Sequence, residues 1–381
     1  MRYEFRLAEL LGYNPDRRKR PGTIKAIVEY TGLDRHQVAS LLKNEAKYIP
    51  LEALSRLCDY LVEHGYASGD QLPGALFAVR PEAFWELIAR RKKLEICVGV
   101  RRPDESDAPE TAWVVASDAV LAGEVLNGVS TLGGTDKLLK PDINAGPTPN
   151  EEKPGTHPEM LKQTLVWSPG ITDSEMVNGR ATEVHEEFSS TAGDKAMICL
   201  GSVKSNPVVE LILADAFHGQ AFQTQDNVQK ASDRRCPFFL RYRPHDPKVA
   251  SISAGEKLSQ TEASDEPGIY YEGADGKWLH AGGQDTALVF YIYRESLGRL
   301  EMVLSGFSGR ATRLLARTLS SRSEAFWPPV YQENYLQIGA FIVQYDISGE
   351  AAADDILRTD VIGNPTITPI PTEAIRRRLE G

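Results

Sequence analysis

A glycine between two short runs of helical periodicity is the feature that most constrains how this chain begins. The apolar residues of the two runs recur at intervals of three and four: Ile24, Ile27 and Val28, then Val38, Leu41 and Leu42. Gly32 lies between the runs, where a tight turn needs a residue that tolerates positive φ. Leu33 follows as an apolar plug in the angle between the helices. The pattern predicts a helix over Thr23–Thr31, a tight turn, and a second helix beyond it.

The second predicted helix, Asp34–Lys43, has a clear start and a polar outer face. Asp34 is a good N-cap, and Gln37 stands three residues later, as in a capping box. The face opposite its apolar residues carries short or hydrogen-bonding side chains and two cations: Arg35, His36, Gln37, Ala39, Ser40 and Lys43. Such a face suits the major groove of DNA, where Arg and Gln pair with base edges and Lys contacts phosphate.

At these residues the chain resembles the helix-turn-helix of the lambda-repressor-like (Cro-type) family, over residues 1–66. The resemblance rests on the turn, on two core positions and on the helix that follows: Gly32–Leu33, Val38, Leu41 and Leu51–Leu61. Val28 stands where that family usually has a small residue such as Ala, which bears on the distance between the two helices. The resemblance implies base reading by Arg35, His36, Gln37, Ala39 and Ser40, and phosphate contacts by Thr23, Lys25, Lys43 and Lys47. A generic helical hairpin, or a domain of this fold that contacts only protein, is the alternative.

The net charge of the chain hides an asymmetry between its two parts. The 381 residues carry a formal net charge of −10, which by itself argues against a nucleic-acid partner. Residues 1–93, however, hold 16 Lys and Arg against 12 Asp and Glu, whereas the other 288 residues hold 27 against 41. A basic beginning on an acidic remainder is typical of a small nucleic-acid module, and a chance fluctuation in surface charge is the alternative.

Three observations set the class of protein that we expect. No stretch approaches the ~18–20 uninterrupted apolar residues of a membrane span, and Met1–Arg6 lacks the apolar core of a secretory signal. The four cysteines lie far apart without a C-x-x-C pair, so neither a zinc site nor a disulfide framework is predicted. We expect a cytoplasmic protein with reduced thiols, no bound metal and no membrane contact.

Composition and periodicity divide the chain into four parts. Residues 1–75 are predicted to form an all-α domain, and residues 76–93 a helical connector. From residue 94 to 363, strands alternate with helices, which favours an α/β domain with a mostly parallel, Rossmann-like sheet. Within it, residues 133–183 contain six Pro and six Gly and are predicted to be an irregular excursion. Residues 364–381 are predicted to be a tail.

Two connections between a predicted strand and a predicted helix are alike. Gly201–Asn206 follows the strand Met197–Leu200, and Ser305–Arg310 follows Met302–Leu304. Small residues there leave backbone N–H groups at a helix start, which form a natural anion site at the carboxyl ends of parallel strands. The candidate ligand-binding residues are Gly201, Ser202, Lys204, Ser205, Asn206, Ser305, Gly306, Ser308, Gly309 and Arg310, with Arg310 and Lys204 as counter-charges.

Neither connection matches a nucleotide-binding motif. The first lacks a second glycine and the second has no Lys before Thr312, so nucleotide binding rests on an analogy of architecture. Ordinary tight connections that need small residues are the alternative reading of both. Ser117–Asp118, at the start of another predicted helix, is a weaker third case.

Two further patterns lead to no assignment of a catalytic residue. Glu183-x-His185-Glu186-Glu187 could supply an acid/base pair or part of a metal site, but no second His stands at ligand spacing, so a solvated charged face is favoured. Ser305-Gly306-x-Ser308-Gly309 lacks the G-x-S-x-G order of a nucleophile elbow, and the sequence identifies no paired base.

Together these patterns predict a ligand-responsive transcriptional repressor that binds double-stranded DNA at a palindromic operator as a homodimer, with two recognition helices about 34–36 Å apart. The α/β domain would dimerise and sense a small anionic, phosphate-bearing effector, with no cofactor required. The connector Pro81–Lys93 would transmit effector binding in the α/β domain to the spacing of the two DNA-binding domains. One alternative is an enzyme that acts on a nucleotide or sugar phosphate and carries a DNA-targeting or autoregulatory domain. A protein-interaction scaffold is another.

Overall fold

The structure is a computed structural model, and it describes residues 3–12, 23–79, 81–101, 112–131, 158, 160–170, 174–190, 193–260, 266–282, 286–333, 335–346 and 365–380. We call residues 3–79 the head and residues 81–380 the body. Residues 13–22 of the predicted helical domain and residues 133–157, 159 and 171–173 of the predicted irregular excursion lie outside the described residues.

The described part of the head is helical and is closed by a two-stranded sheet. Its helices are α1 (Leu7–Leu10), α2 (Thr23–Thr31), α3 (Arg35–Leu42) and α4 (Leu51–Glu63). Buried apolar side chains from these helices form one core, as the sequence predicts. Strand β1 (Tyr3–Phe5) pairs antiparallel with β2 (Phe77–Val79), a pairing that the sequence analysis does not anticipate. The first described residues are thereby tied to the last residues of the head.

The body is built on one large sheet and one small sheet. The strands of the large sheet are β3 (Lys93–Arg101), β4 (Trp113–Val114), β5 (Met160–Trp167), β6 (Lys195–Leu200), β11 (Thr286–Arg294), β12 (Arg299–Gly306), β13 (Tyr331–Glu333), β14 (Leu336–Gln344) and β15 (Thr366–Pro369). Their order is β13-β14-β11-β12-β6-β3-β4, with β5 paired to β3 and β15 paired to β14. The two predicted strands Met197–Leu200 and Met302–Leu304 lie within β6 and β12 of this sheet.

The predicted mostly parallel, Rossmann-like sheet is corrected by the pairing directions. Strands β12, β6, β3 and β5 are parallel neighbours. The pairs β11–β12, β11–β14, β13–β14, β14–β15 and β3–β4 are antiparallel, so the sheet is mixed. The physical reason is visible between β11 and β12, which are joined only by a 3₁₀ turn at Glu295–Leu297 and by Gly298. A connection this short cannot cross over to make a parallel pair.

Helices cover both faces of the large sheet. They are α5 (Phe84–Ala89), α6 (Ala116–Thr131), α7 (Ser174–Ser190), α8 (Val208–Ala216), α9 (Gly309–Arg322) and α10 (Thr372–Glu380). Leu121 of α6 and Leu315 of α9 belong to the core on one face, and Val184 of α7 and Ile212 of α8 to the core on the other. Strands β3, β6 and β12 are therefore buried on both sides, as parallel strands usually are. Among the described residues, no helix combines the length and apolarity needed to cross a membrane.

The small sheet consists of β7 (Phe238–Arg241), β8 (Ala254–Gly255), β9 (Gly268–Glu272) and β10 (Trp278–His280), in the order β10-β9-β7-β8. A buried carboxylate of α8 anchors the chain around it. Glu210 accepts hydrogen bonds from Ser251 Oγ (2.5 Å), Ile252 N (2.9 Å) and Phe222 N (3.2 Å). This sheet is not among the elements predicted from the sequence.

Two segments are more regular than the sequence suggests. Within 133–183, where an irregular excursion is predicted, lie the strand β5 and the first part of α7. Buried residues of α7 recur at helical spacing at Val177, Ala181, Val184 and Phe188. The predicted tail contains β15 and α10, and α10 is held to the body by Arg377 and Arg378, whose Nε atoms lie 3.0 and 2.8 Å from the carboxylate of Glu272.

Candidate DNA interface and ligand crevice

The turn between α2 and α3 has the conformation that its glycine predicts. Gly32 has φ of +73°, and a Cβ there would lie 3.3 Å from Arg56 Nη1. Asp34 accepts a hydrogen bond from Gln37 N (2.9 Å), and Gln37 Oε1 accepts one from Asp34 N (3.1 Å). The capping box is thus confirmed, and it fixes where α3 begins. It also occupies the side-chain carbonyl of Gln37, which leaves the amide NH₂ as a donor.

The residues of α3 divide into the two faces that the sequence predicts. Val38, Leu41 and Leu42 are buried in the core of the head. The nine candidate DNA-binding residues are exposed or partly exposed: Thr23, Lys25, Arg35, His36, Gln37, Ala39, Ser40, Lys43 and Lys47. The position that departs from the family pattern, Val28, is partly buried against the same core. The outer face of α3 is therefore open to a partner.

A groove of about 260 Å³ lies between α3 and the loop that follows it. It is lined by Leu33, His36, Gln37, Ser40, Leu41, Ala46, Lys47, Tyr48, Ile49 and Pro50. Tyr48, whose residue surface is 80% exposed, is absent from the sequence-based candidates. Its signal in the sequence is an aromatic residue beside Lys47 in a short polar loop. The groove joins α3 and the Lys47–Tyr48 segment into one surface.

Lys25 of α2, a candidate phosphate contact, forms an exposed ion pair. Lys25 Nζ lies 3.6 Å from Glu29 Oε1, and both side chains are largely exposed. Exposed pairs of this kind contribute little stability, so a phosphate group can replace the carboxylate at small cost. Lys25 can therefore exchange its pair with Glu29 for a contact with a polyanion.

The structure brings the two candidate ligand loops together. They follow β6 and β12, which are neighbouring parallel strands, and Gly201 N donates to Leu304 O across them (2.9 Å). Gly201 has φ of +92°, and a Cβ there would overlap Ser205 Oγ. We call the space at the carboxyl ends of β3, β6 and β12 the crevice. Ligands of α/β sheets bind at such ends.

The cation Lys204 is fixed inside the first loop. Its Nζ lies 2.9 Å from Asp246 Oδ2 and 4.7 Å from the centre of the Phe307 ring. Burial lowers the pKa of Lys204, and the Asp246 carboxylate opposes that shift. Arg243 lies at the same place, because its N donates to Asp246 Oδ2 (3.0 Å) and its Nη2 to Phe307 O (3.2 Å). The sequence offers no signal for Arg243 and Asp246, which come from the loop after β7.

The third, weaker connection also reaches the crevice. Ser117 and Asp118 start α6 and are buried, with Ser117 Oγ 3.3 Å from Asp118 Oδ1. A Cβ on Gly201 would lie 3.7 Å from Asp118 Oδ2, and a Cβ on Gly309 would lie 3.4 Å from Ser117 Oγ. Burial raises the pKa of Asp118. The crevice thus combines cations with a hydrogen-bonding carboxyl group.

Some candidate residues shape the loops from within. Asn206 is fully buried, and its Nδ2 donates to Cys97 O (3.0 Å) and Leu200 O (3.2 Å). Ser308 is the N-cap of α9 and accepts from Ala311 N (3.1 Å). Ser305 and Gly306 are buried at the end of β12, whereas Ser308, Gly309 and Arg310 are partly or fully exposed. Asn206 therefore holds the first loop to β3 and β6.

The side chains of His185, Asp215 and Glu301 lie close enough together to resemble a metal site, but two arginines pair with the carboxylates. Glu183, Glu186 and Glu187 of α7 are exposed, as the favoured solvated face predicts, but His185 is buried. His185 Nε2 lies 2.9 Å from Glu301 Oε1, and Asp215 lies beside them. Arg294 and Arg299 pair with both carboxylates. Although burial raises the pKa of Glu301, the two guanidinium groups hold it well below its usual range. The cluster is a partly buried ion-pair network in which Arg294 and Arg299 neutralise the carboxylates of Asp215 and Glu301.

Comparison with known proteins addresses the head. Residues 17–62 match the family model of the Cro/C1-type HTH DNA-binding domain. The match spans α2, α3, the Gly32 turn between them and nearly all of α4. Neither the curated proteins nor the solved structures compared with this chain include a match. The amino-terminal region of the chain is therefore a Cro/C1-type helix-turn-helix DNA-binding domain.

Proposed function

We propose that this protein is a transcriptional repressor that binds a palindromic operator as a homodimer and responds to a small anionic, phosphate-bearing effector. The Cro/C1-type domain supports DNA-binding transcription regulation. The observation that carries the proposal is the outer face of α3, where the exposed Arg35 and His36 stand beside a groove that includes Lys47.

In the proposed complex, α3 enters the major groove. An α-helix with its side chains is about 10–12 Å in diameter, which fits the ~12 Å width of that groove. Arg35 and the amide NH₂ of Gln37 contact base edges, and Lys43 and Lys47 contact phosphates. One head makes few phosphate contacts, so two heads about 34–36 Å apart on a palindrome supply the affinity.

The effector is proposed to bind in the crevice. Lys204, Arg243 and the first turn of α9 at Arg310 surround it with cationic groups and backbone N–H donors. An effector changes DNA affinity only if it binds one arrangement of the body more tightly than another. We assign that differential binding to the crevice. We assign dimerisation to the body as well, and the body is larger than dimerisation alone would require.

The first experiment is a gel shift with DNA selected by the wild-type protein from a random pool, at two salt concentrations. Replacing Arg35 and Gln37 together by Ala removes two base contacts, each worth about 1–3 kcal/mol, so we expect affinity to fall by about 30-fold or more. Lys277→Ala removes an exposed cation from the body and is the matched control. Unchanged affinity in the double variant contradicts the assignment of α3 to the major groove. If the wild-type protein selects no DNA from the pool, or retards none in the gel at either salt concentration, the proposed DNA-binding function is wrong.

The effector is tested by mass spectrometry of the natively purified protein. A sensor retains an unchanged phosphate-bearing molecule, and Lys204→Ala is expected to lose it while Lys277→Ala keeps it. Conversion of added nucleotides or sugar phosphates would instead identify an enzyme. That outcome would replace the sensor role of the body without affecting the DNA-binding role of the head.

A further inference from the structure

A buried ionic cluster joins the head to the body. Its members are Glu4, Arg6 and Glu9 from the head and Arg91, Asp194 and Tyr293 from the body, and all six are buried. None of them belongs to the DNA interface or to the crevice. We call this group the junction cluster.

Asp194 lies at the centre of the junction cluster and bridges the two parts. Its Oδ2 lies 3.1 Å from Arg6 Nη2 of the head, and its Oδ1 lies 2.8 Å from Arg91 Nη1 of the body. Arg91 Nη1 also donates to Tyr293 Oη (2.8 Å), which donates in turn to Glu4 Oε2 (2.9 Å). The head and the body therefore share one network of ion pairs through Asp194 and hydrogen bonds through Tyr293.

The junction cluster stands at the amino ends of the strands whose carboxyl ends form the crevice. Arg91 lies two residues before β3, Asp194 lies directly before β6, and Gly298 lies directly before β12. A Cβ on Gly298 would lie 2.5 Å from Glu9 Oε2, so α1 of the head rests against the start of β12. These three strands are adjacent and parallel. With six to nine residues each, they span about 20–30 Å between the head and the crevice.

Backbone hydrogen bonds link the three strand starts to one another. Lys93 N donates to Asp194 O (3.1 Å), and Lys195 N donates to Gly298 O (2.9 Å). A displacement of one strand along its length therefore moves the neighbouring strand starts with it, and Asp194 is in the middle of the row.

The junction cluster is poorly suited to simple stabilisation. Three carboxylates face two guanidinium groups, and among the described residues Arg91 Nε and Nη2 are buried without a hydrogen-bond partner. Burial raises the pKa of Glu9 to about 7, and the Asp194 carboxylate adds to that shift against the opposing charge of Arg6. A buried ion pair is weak evidence for stability, but removing one of its partners leaves an uncompensated buried charge, so a change at Asp194 acts strongly on the contact between head and body.

We propose that the junction cluster couples the crevice to the orientation of the head, with Asp194 as the positioning residue. A ligand in the crevice shifts β3, β6 and β12 along their lengths, and the shift moves Asp194 relative to Arg6. The ion pair between head and body then weakens or tightens, and the head turns. This coupling rests on the proposed function, and it specifies how the crevice and the DNA interface communicate.

Because coupling is reciprocal, DNA bound to the head must alter the crevice. The experiment is hydrogen exchange of the full chain with and without DNA selected from a random pool. In the wild type we expect DNA to change exchange at least twofold in residues 201–206 and 305–309. Asp194→Asn keeps the shape of the side chain and removes its charge, so it should still bind DNA while that change disappears. Glu333→Gln breaks the exposed Glu333–Arg376 pair of the body and should behave as wild type.

If Asp194→Asn does not fold, Arg6→Gln removes the head's side of the bridge and leaves the Arg91–Asp194 pair in place. The same loss of response is expected. A DNA-induced change that persists in a folded Asp194→Asn or Arg6→Gln variant overturns the coupling, as does a wild type that binds DNA without a change in the crevice. A wild type that binds no DNA overturns the proposed function and the coupling together.

Discussion

The DNA interface of the head and the crevice of the body hold their charges in opposite ways. At the head, Lys25 and Glu29 are 3.6 Å apart and largely exposed. At the crevice, Lys204 and Asp246 are 2.9 Å apart, mostly buried, and packed on the ring of Phe307. An exposed cation attracts a polyanion at long range and is screened by salt, whereas a buried, fixed pair preorganises a small site. The candidate DNA-binding surface of the head therefore carries an exposed, exchangeable ion pair, whereas the crevice carries a fixed one.

The largest expected difference between the two regions concerns their positive-φ glycines. Gly201→Ala brings a Cβ into Ser205 Oγ in addition to backbone strain, so we expect it to lower the free energy of unfolding by about 2–4 kcal/mol. Gly32→Ala meets only the movable end of Arg56 and should cost about 1–2 kcal/mol. Denaturant unfolding measures both values. Gly123→Ala, inside α6 with open space around it, should instead stabilise by about 0.5–1 kcal/mol. An equal loss in the free energy of unfolding for Gly201→Ala and Gly32→Ala would mean that the packing around the two glycines does not differ as described.

A second difference concerns pH. Burial raises the pKa of Glu210 in the body to about 7, from 4.5. The folded state then binds the proton more tightly than the unfolded state, so the free energy of unfolding is highest below pH 4.5 and falls by up to about 3 kcal/mol as pH rises to 7. Glu9 at the junction adds a decline of the same sign, because its pKa is also raised to about 7.

The test of that dependence is Glu210→Gln, measured by urea unfolding at pH 5, 6 and 7. In the variant, the free energy of unfolding should fall less steeply as pH rises, because Glu210 no longer contributes. The contribution of Glu9 to that fall should remain. Glu333→Gln, at an exposed pair, should leave the whole decline in place. An unchanged pH dependence in Glu210→Gln would mean that Glu210 does not carry a raised pKa.

The smallest expected effect concerns a single phosphate contact of the head. Lys47→Ala should weaken DNA binding a few-fold for all sequences alike and reduce the slope of log affinity against log salt by about 1. Fluorescence anisotropy over a range of salt concentrations measures both quantities, with Lys277→Ala as the control. A loss that depends on the DNA sequence would assign Lys47 to base reading instead.

The helices of the head are predictable from the sequence because the signals that set them are local. Gly32 forces the turn, and Asp34 with Gln37 sets the start of α3. In the body the same kind of reasoning locates β6 and β12 and predicts that their loops lie together. The strand directions cannot be predicted in this way. Nothing in the sequence around Gly298 distinguishes the short turn that makes β11 and β12 antiparallel from any other connection that contains a glycine.

The residues that complete the crevice escape prediction for a related reason. Asp246 lies 42 residues after Lys204, and the loop after β7 that carries it comes to the crevice through tertiary packing. The helix α7 is missed because its first turns follow a Pro- and Gly-rich stretch, although Val177, Ala181 and Val184 already follow a helical period. Strand β5 pairs only with β3 among the described strands and is largely exposed, so its hydrophobic pattern does not reflect burial.

The pairing of β1 with β2 has a mechanical consequence for the head. The chain enters the body directly after β2, and the residues within and just after β1 touch the body at Glu4, Arg6 and Glu9. The head is therefore attached along two separate paths rather than by one tether. A domain on a single tether swivels in every direction, but one attached at two points rotates about the line that joins them. A rotation of the head about that line is the movement that breaks neither attachment, and in the proposed dimer it would change the separation of the two recognition helices.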